Sequence, residues 1–238
     1  MNAKKSQVKP KEKPAKSSGH LFETDPREMS RTQIIPKLSE QIVETSGKNS
    51  VNQAGKTVKK QEAKVIDTTR QAVPYQTGNI PGPKMARAVM PAVPGKMLAR
   101  AKRPLLIVGS KIDSEDVLAR VVTMGKAGIQ IASVGGSYKY LADKGLDAHY
   151  MNMHALASYL CDPQWPGLDG KGGYDLVVFF GITYYYASQA ISALKNFSNI
   201  KVISIDKYYH PNADMSFGNL KQDVFIAALD EIIAQLPK

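Results

Sequence analysis

Between Ile203 and Leu220 the chain reads ISIDKYYHPNADMSFGNL, and this stretch gathers residue types from which a site could be built. A β-branched apolar run ends at Asp206, and a polar, aromatic loop with Tyr208, Tyr209, His210 and Asn212 follows it. An acidic side chain at a strand end accepts from a ribose hydroxyl in dinucleotide folds. It also caps the turn after the strand. Three other apolar runs end in glycine, at Gly109, at Gly135–Gly136 and at Gly181. Glycine there permits a tight turn and lets backbone N–H groups approach a phosphate at the next helix N-terminus. With Ser110, Thr183, Asp206 and Tyr208 these glycines outline a candidate nucleotide crevice. The spacing is no fingerprint: Gly109-Ser110-Lys111 is not G-x-G-x-x-G, and no Walker A sequence occurs.

Other reactive residue types do not converge. His149, His154 and His210 lack metal-ligand spacing and read as packing or surface residues. The single cysteine, Cys161, excludes an intramolecular disulfide and cannot by itself ligate an iron–sulfur cluster. With no nearby cation to lower its pKa, it reads as a buried or idle thiol. No Ser/His/Asp, paired-carboxylate or H-E-x-x-H arrangement is present, so no catalytic centre is expected in this chain. Tyr184, Tyr185 and Tyr186 open a helix at the sheet's carboxyl edge. They suit stacking on a flavin or adenine, but an interface, where tyrosine is enriched, is the preferred reading. Trp165 and Tyr174 flank Gly167–Gly173, which reads as a mobile surface loop.

The elements that must position these residues alternate. Helical character is expected at Lys96–Ala101, Asp113–Gly125, Ser137–Lys144, Asn152–Cys161 and Thr183–Phe197. In a closing helix Val224, Phe225, Ala228, Leu229, Ile232 and Ile233 share one face. Strands are expected at Pro104–Gly109, Ile129–Val134, Ala148–Met151, Tyr174–Gly181, Ile200–Asp206 and Ala213–Phe217. Continuous apolar runs such as PLLIVG mark strands buried on both faces. The alternation predicts an α/β fold, a three-layer α/β/α domain around a parallel sheet with right-handed crossovers. In such sheets ligands bind at the carboxyl ends of the strands, where these loops fall.

Charge and composition divide the chain. The net charge of +11 comes entirely from residues 1–103, with 21 Lys/Arg against 8 Asp/Glu, whereas residues 104–238 carry 11 against 13. A nucleic-acid-binding domain would carry its basic patch on its own folded surface. A nucleic-acid or acidic-partner role is therefore confined to the tail, and nucleic acid is not the expected partner. Residues 1–70 read as a disordered basic tail, with one short helix possible around Ile34–Val43. Residues 71–95, rich in proline and glycine, read as an extended arm rather than a helix or central strand. Residues 96–238 make the Rossmann-like domain. No stretch suits a membrane span or a secretory signal, and a reducing, cytoplasmic setting is expected.

Four stretches resemble the ε subunit of the archaeal acetyl-CoA decarbonylase/synthase (carbon monoxide dehydrogenase) complex. They are YQTGNIPGP (Tyr75–Pro83), AKRPLLIVGS (Ala101–Ser110), YDLVVFFGITYYYA (Tyr174–Ala187) and YYHPNADMSFGNL (Tyr208–Leu220). The IDKYYHPN loop is also similar to the central domain of thiamine-diphosphate enzymes, which implies a DHS-like NAD/FAD-binding fold. The resemblance implies a non-catalytic companion of a large α subunit carrying a nickel–iron–sulfur centre, in an α2ε2 assembly. That assembly oxidises CO and helps cleave or form acetyl-CoA, as in methanogenesis from acetate. The resemblance also implies two roles, stabilising the α subunit or passing electrons through FAD. The FAD would lie across Gly109, Gly135, Gly181 and the Asp206 loop. The basic segment before Gln71 has no counterpart in the family pattern.

Overall fold

The computed structural model describes residues 66–76 and 84–237. The possible helix around Ile34–Val43, most of the basic tail and the centre of the YQTGNIPGP arm lie outside the described residues. The strands are β1 (Arg87–Ala88), β2 (Pro104–Val108), β3 (Gln130–Ser133), β4 (Ala148–Tyr150), β5 (Leu176–Phe180), β6 (Lys201–Ile205) and β7 (Met215–Ser216). The helices are α1 (Ala92–Arg100), α2 (Glu115–Lys126), α3 (Tyr138–Leu141), α4 (Met153–Cys161), α5 (Tyr184–Phe197) and α6 (Gln222–Ile233). All strands pair in parallel in the order β1-β7-β6-β5-β2-β3-β4. Counted from β2, the last six follow the Rossmann order, 3-2-1-4-5-6, and the order reverses between β2 and β5.

The period of two sorts the core. Leu106, Val108, Val178 and Phe180 face one layer, with Leu98 of α1, Val117 and Val121 of α2, and Phe225 and Leu229 of α6. Leu105, Ile107, Val177 and Phe179 face the other, with Leu156 and Leu160 of α4 and Ile191 and Leu194 of α5. Both faces of β2 and β5 are covered, which is why these strands are continuously apolar. Asn152 caps α4, its side chain accepting from the N–H groups of His154 and Ala155.

The arm departs from its expectation in two places. Residues 84–89 do not merely lie extended, because Arg87–Ala88 adds an edge strand beside β7. A helix also starts inside the arm, at Ala92. Pro91 is its N-cap and Pro94 falls in its first turn, where missing N–H donors cost nothing. Gly95 then lets α1 meet α6 closely, since a Cβ there would lie 2.9 Å from the Gln235 side chain. The arm packs on its own domain. Ala86 N–H donates to Pro211 O at 2.8 Å, and Val89 N–H to Ser216 O at 3.1 Å. Lys195 Nζ donates to Lys84 O at 2.6 Å and Ala213 O at 3.0 Å.

Upstream, residues 66–73 lie across the β7–α6 connection. Gly218 N–H donates to Thr68 O at 2.7 Å and Asn219 N–H to Gln71 O at 3.1 Å. The Asn219 amide donates to Gln71 O at 2.9 Å and Val73 O at 2.8 Å. The buried Thr68 hydroxyl donates to Val89 O at 2.5 Å. The Gly167–Gly173 loop, expected to be mobile, is also held down. Arg103 pairs with Asp169 at 2.6 Å, and Tyr174 Oη accepts from Leu168 N–H at 3.0 Å while donating to Gln130 at 2.6 Å.

Candidate functional site

The switch point between β2 and β5 is where this fold keeps its dinucleotide. Gly109 ends β2 and Gly181 ends β5, and the two are in backbone contact. A Cβ on Gly109 would lie 2.5 Å from Gly181 O and 2.6 Å from Ile182 Cα. Lys111 N–H donates to Gly181 O at 2.9 Å. Gly181, at φ +59°, leaves room for the fully buried Ile112, whose Cγ2 would lie 3.1 Å from a Cβ there. The chain's own loops therefore fill the gap. Residues 109–114 separate β2 from α2, and the first turn of α2 carries Glu115 and Asp116. A diphosphate is favoured by a glycine turn leading into a helix N-terminus, and acidic side chains there oppose it. Between these two strands no glycine turn leads directly from β2 into a helix N-terminus.

Open space lies one strand over. A cavity of about 350 Å³ sits at the carboxyl ends of β5 and β6, against the starts of α2 and α6. Gly181, Asp206 and Tyr208 line it, together with Lys111, Lys207 and Gln222. Asp206 Oδ1 accepts from Tyr208 N–H at 3.2 Å, so the carboxylate also caps its turn. Burial pushes its pKa up to about 6, against the turn N–H groups and the Lys111 and Lys207 charges that favour ionisation. The Tyr208 ring leans on Tyr75 of the arm at a tilt of 31°, with centroids 4.0 Å apart.

The remaining candidates lie elsewhere on the same edge. Gly135, at φ +63°, has open space on its Cβ side, and a Cβ on Gly136 would approach Ser110 Cβ at 3.9 Å. Thr183 is the N-cap residue of α5 but makes no side-chain cap bond. Ser137, absent from the expected set, is buried and donates to Val108 O at 2.8 Å. Its hydroxyl shares a hydrogen bond with Ser133 at 2.7 Å. It locks the β3 turn onto β2. Lys111 and Lys207 were also missed. The available signal was position, one cation just after each of two strand ends.

The tyrosine triplet divides. Tyr184 turns inward, donates to Tyr209 O at 3.0 Å and stacks on His210 at 4.2 Å. Only Tyr185 and Tyr186 remain on the surface. His210 is buried as a packing residue, and its Nδ1 has no hydrogen-bond partner among the described residues. Burial, with Lys111 nearby, holds its pKa down to about 3, so it stays neutral. Burial raises the pKa of the Cys161 thiol. Among the described residues no three His, Cys, Asp or Glu side chains converge as metal ligands, and no helix is long and apolar enough to cross a membrane.

Residues 68–233 match the family model described as CO dehydrogenase beta subunit/acetyl-CoA synthase epsilon subunit. The chain belongs to this family. It is 45% identical over 181 residues to the acetyl-CoA decarbonylase/synthase complex subunit epsilon of Methanothrix soehngenii, spanning 74% of this chain and 97% of that one. Subunit epsilon 1 of Methanosarcina barkeri is 46% identical, over 72% of this chain and 100% of its own length. The Methanothermobacter thermautotrophicus epsilon subunit is 34% identical, over 68% and 95%. The epsilon-family match begins at Thr68, the residue whose hydroxyl ties the upstream segment to Val89 of the arm.

Proposed function

We propose that the chain is a non-catalytic epsilon subunit of an acetyl-CoA decarbonylase/synthase complex, stabilising the large catalytic subunit of the CO dehydrogenase component in an α2ε2 assembly. The carrying observation is the match of residues 68–233 to the epsilon-family model, with epsilon subunits covered over nearly their whole length. The relatives' names place them in such a complex. The chain's part is to bury surface of its partner and so raise that partner's apparent stability by mass action. Co-expression with the catalytic subunit should give a co-eluting complex whose CO-oxidising activity survives heating longer than that of the catalytic subunit alone. Equal inactivation half-lives with and without the chain would reject the stabilising role.

An electron-transfer role through FAD has narrower support. Of the eight residues expected to hold the flavin, Gly181, Asp206 and Tyr208 line the cavity at β5 and β6. Its volume of about 350 Å³ lies at the small end for cofactor pockets. Flavin fluorescence titration of the chain, alone and in the complex, tests this reading, and saturable quenching would favour it. A cytoplasmic location is proposed with the complex.

A further inference from the structure

Exposed aromatic rings gather along one edge of the sheet. Tyr138 follows β3, Tyr150 ends β4, His154 begins α4, and Tyr185 and Tyr186 begin α5. All stand at carboxyl ends of strands or at the helix starts that follow them. The four tyrosines are 45%, 59%, 53% and 42% exposed. Their contacts form two groups: Tyr138 meets Tyr150 edge-on at 6.2 Å, and separately His154 meets Tyr186 at 5.5 Å while Tyr185 leans on Tyr186 at 4.8 Å. The rings support each other and lose little freedom when covered, which is the economy of tyrosine at interfaces. A large aromatic residue buries roughly 150–250 Å². Four half-exposed rings therefore offer on the order of 400 Å², about half of one partner's share in a standard interface.

Charge on the same edge of the sheet selects among occupants. Asp113, Glu115 and Asp116 are exposed at the start of α2 on the same edge, and no ion pair engages them among the described residues. Two copies meeting through a two-fold axis would bring these carboxylates toward their own kind. Ring faces carry negative potential and attract guanidinium groups. Lys139, the cation within the strip, already lies over Tyr140 at 4.6 Å.

We propose that this aromatic strip receives an arginine-bearing protruding segment of the large catalytic subunit, a reading that rests on the subunit role above. The acidic first turn of α2 supplies the complementary charge. The rings line no part of the cavity at β5 and β6, whereas Asp113 of the acidic turn stands on its rim.

The test is binding of the co-expressed partner by Tyr150→Ala and by the double variant Tyr185→Ala/Tyr186→Ala. Both should weaken the complex at least tenfold while the chain's own melting temperature stays within about 2 °C. Tyr150→Phe should bind like the parent. Phe197→Ala and Tyr159→Ala, at the opposite ends of α5 and α4, are the controls and should bind normally. A photo-crosslinker at position 150 should capture an arginine-containing peptide of the partner. Strip variants that bind within twofold of the parent, or an acidic captured peptide, would overturn the inference. So would a chain that dimerises alone and loses its dimer on Tyr150→Ala, since the occupant would then be a second copy. If the parent chain formed no complex, the subunit role would fall and the inference with it. A complex indifferent to the strip removes only the inference.

Discussion

Replacing Gly218 by alanine should detach residues 66–73 from the domain. A Cβ at this position falls on the Arg70 carbonyl oxygen, with the Arg70 carbonyl carbon at 2.9 Å and Thr68 O at 3.3 Å. All three are backbone atoms, so no side-chain rotation relieves the clash. Parting the two segments breaks the 2.7 Å bond from Gly218 N–H to Thr68 O and the 3.1 Å bond from Asn219 N–H to Gln71 O. It also loosens the Asn219 amide bonds and the buried Thr68–Val89 bond. A net intramolecular hydrogen bond contributes about 0.5–1.5 kcal/mol, and exposed groups regain water partners. The sum is about 3 kcal/mol, or roughly a hundredfold rise in the open population. Trypsin reads this directly, because Arg70 has an exposed side chain and its peptide bond is cut only when this segment lifts. Cleavage after Arg70 should accelerate by about a hundredfold, and exchange at the Gly218 and Asn219 amides should rise in step. Thr68→Val, which removes the hydroxyl without a clash, should give about a tenfold effect. If both variants were cut and exchanged within twofold of the parent, residues 66–73 would not be held as described.

The cavity carboxylate gives a pH signature. The folded pKa of Asp206 is raised, so its favourable contribution is complete below the unfolded value near 4 and is lost as pH rises through about 6. Asp206→Asn should therefore be more stable than the parent at pH 8, by roughly 2 kcal/mol, and gain little at pH 4; urea midpoints at the two pH values decide it. Gly109→Ala drives a methyl into Gly181 O and Ile182 Cα and should cost at least about 3 kcal/mol. For a domain of this size that lowers the melting temperature by about 6 °C or more, and an unchanged melt would refute the contact. Arg120→Ala breaks a surface pair with Asp230 and should cost under about 1 kcal/mol, with the difference vanishing in 1 M salt.

The sequence made the layers legible because strands buried on both faces leave continuous apolar runs, as at Leu105–Val108 and Val177–Phe180. The position of the site loops followed, since strand ends lie at one edge. What the sequence hid depends on distant neighbours. Gly109 and Gly218 look like turn residues, yet each is required by another segment's backbone, Gly181–Ile182 for one and Arg70 for the other. Tyr184, Tyr185 and Tyr186 are alike in sequence, and only the helix phase sends the first against His210 and the others outward. Pro91 and Pro94 argued against a helix because proline breaks helix interiors, but both stand at the start, where the penalty disappears. The arm strand at Arg87–Ala88 is two residues long and carries no alternation to read.

That two-residue strand has a counterpart at the far side of the sheet, where β4 is three residues long. A sheet with long open margins invites further strands from other chains, and short margins are a defence against fibre growth. Here the backbone offers little purchase at either margin, so self-association through added strands is suppressed. Recognition is left to side chains.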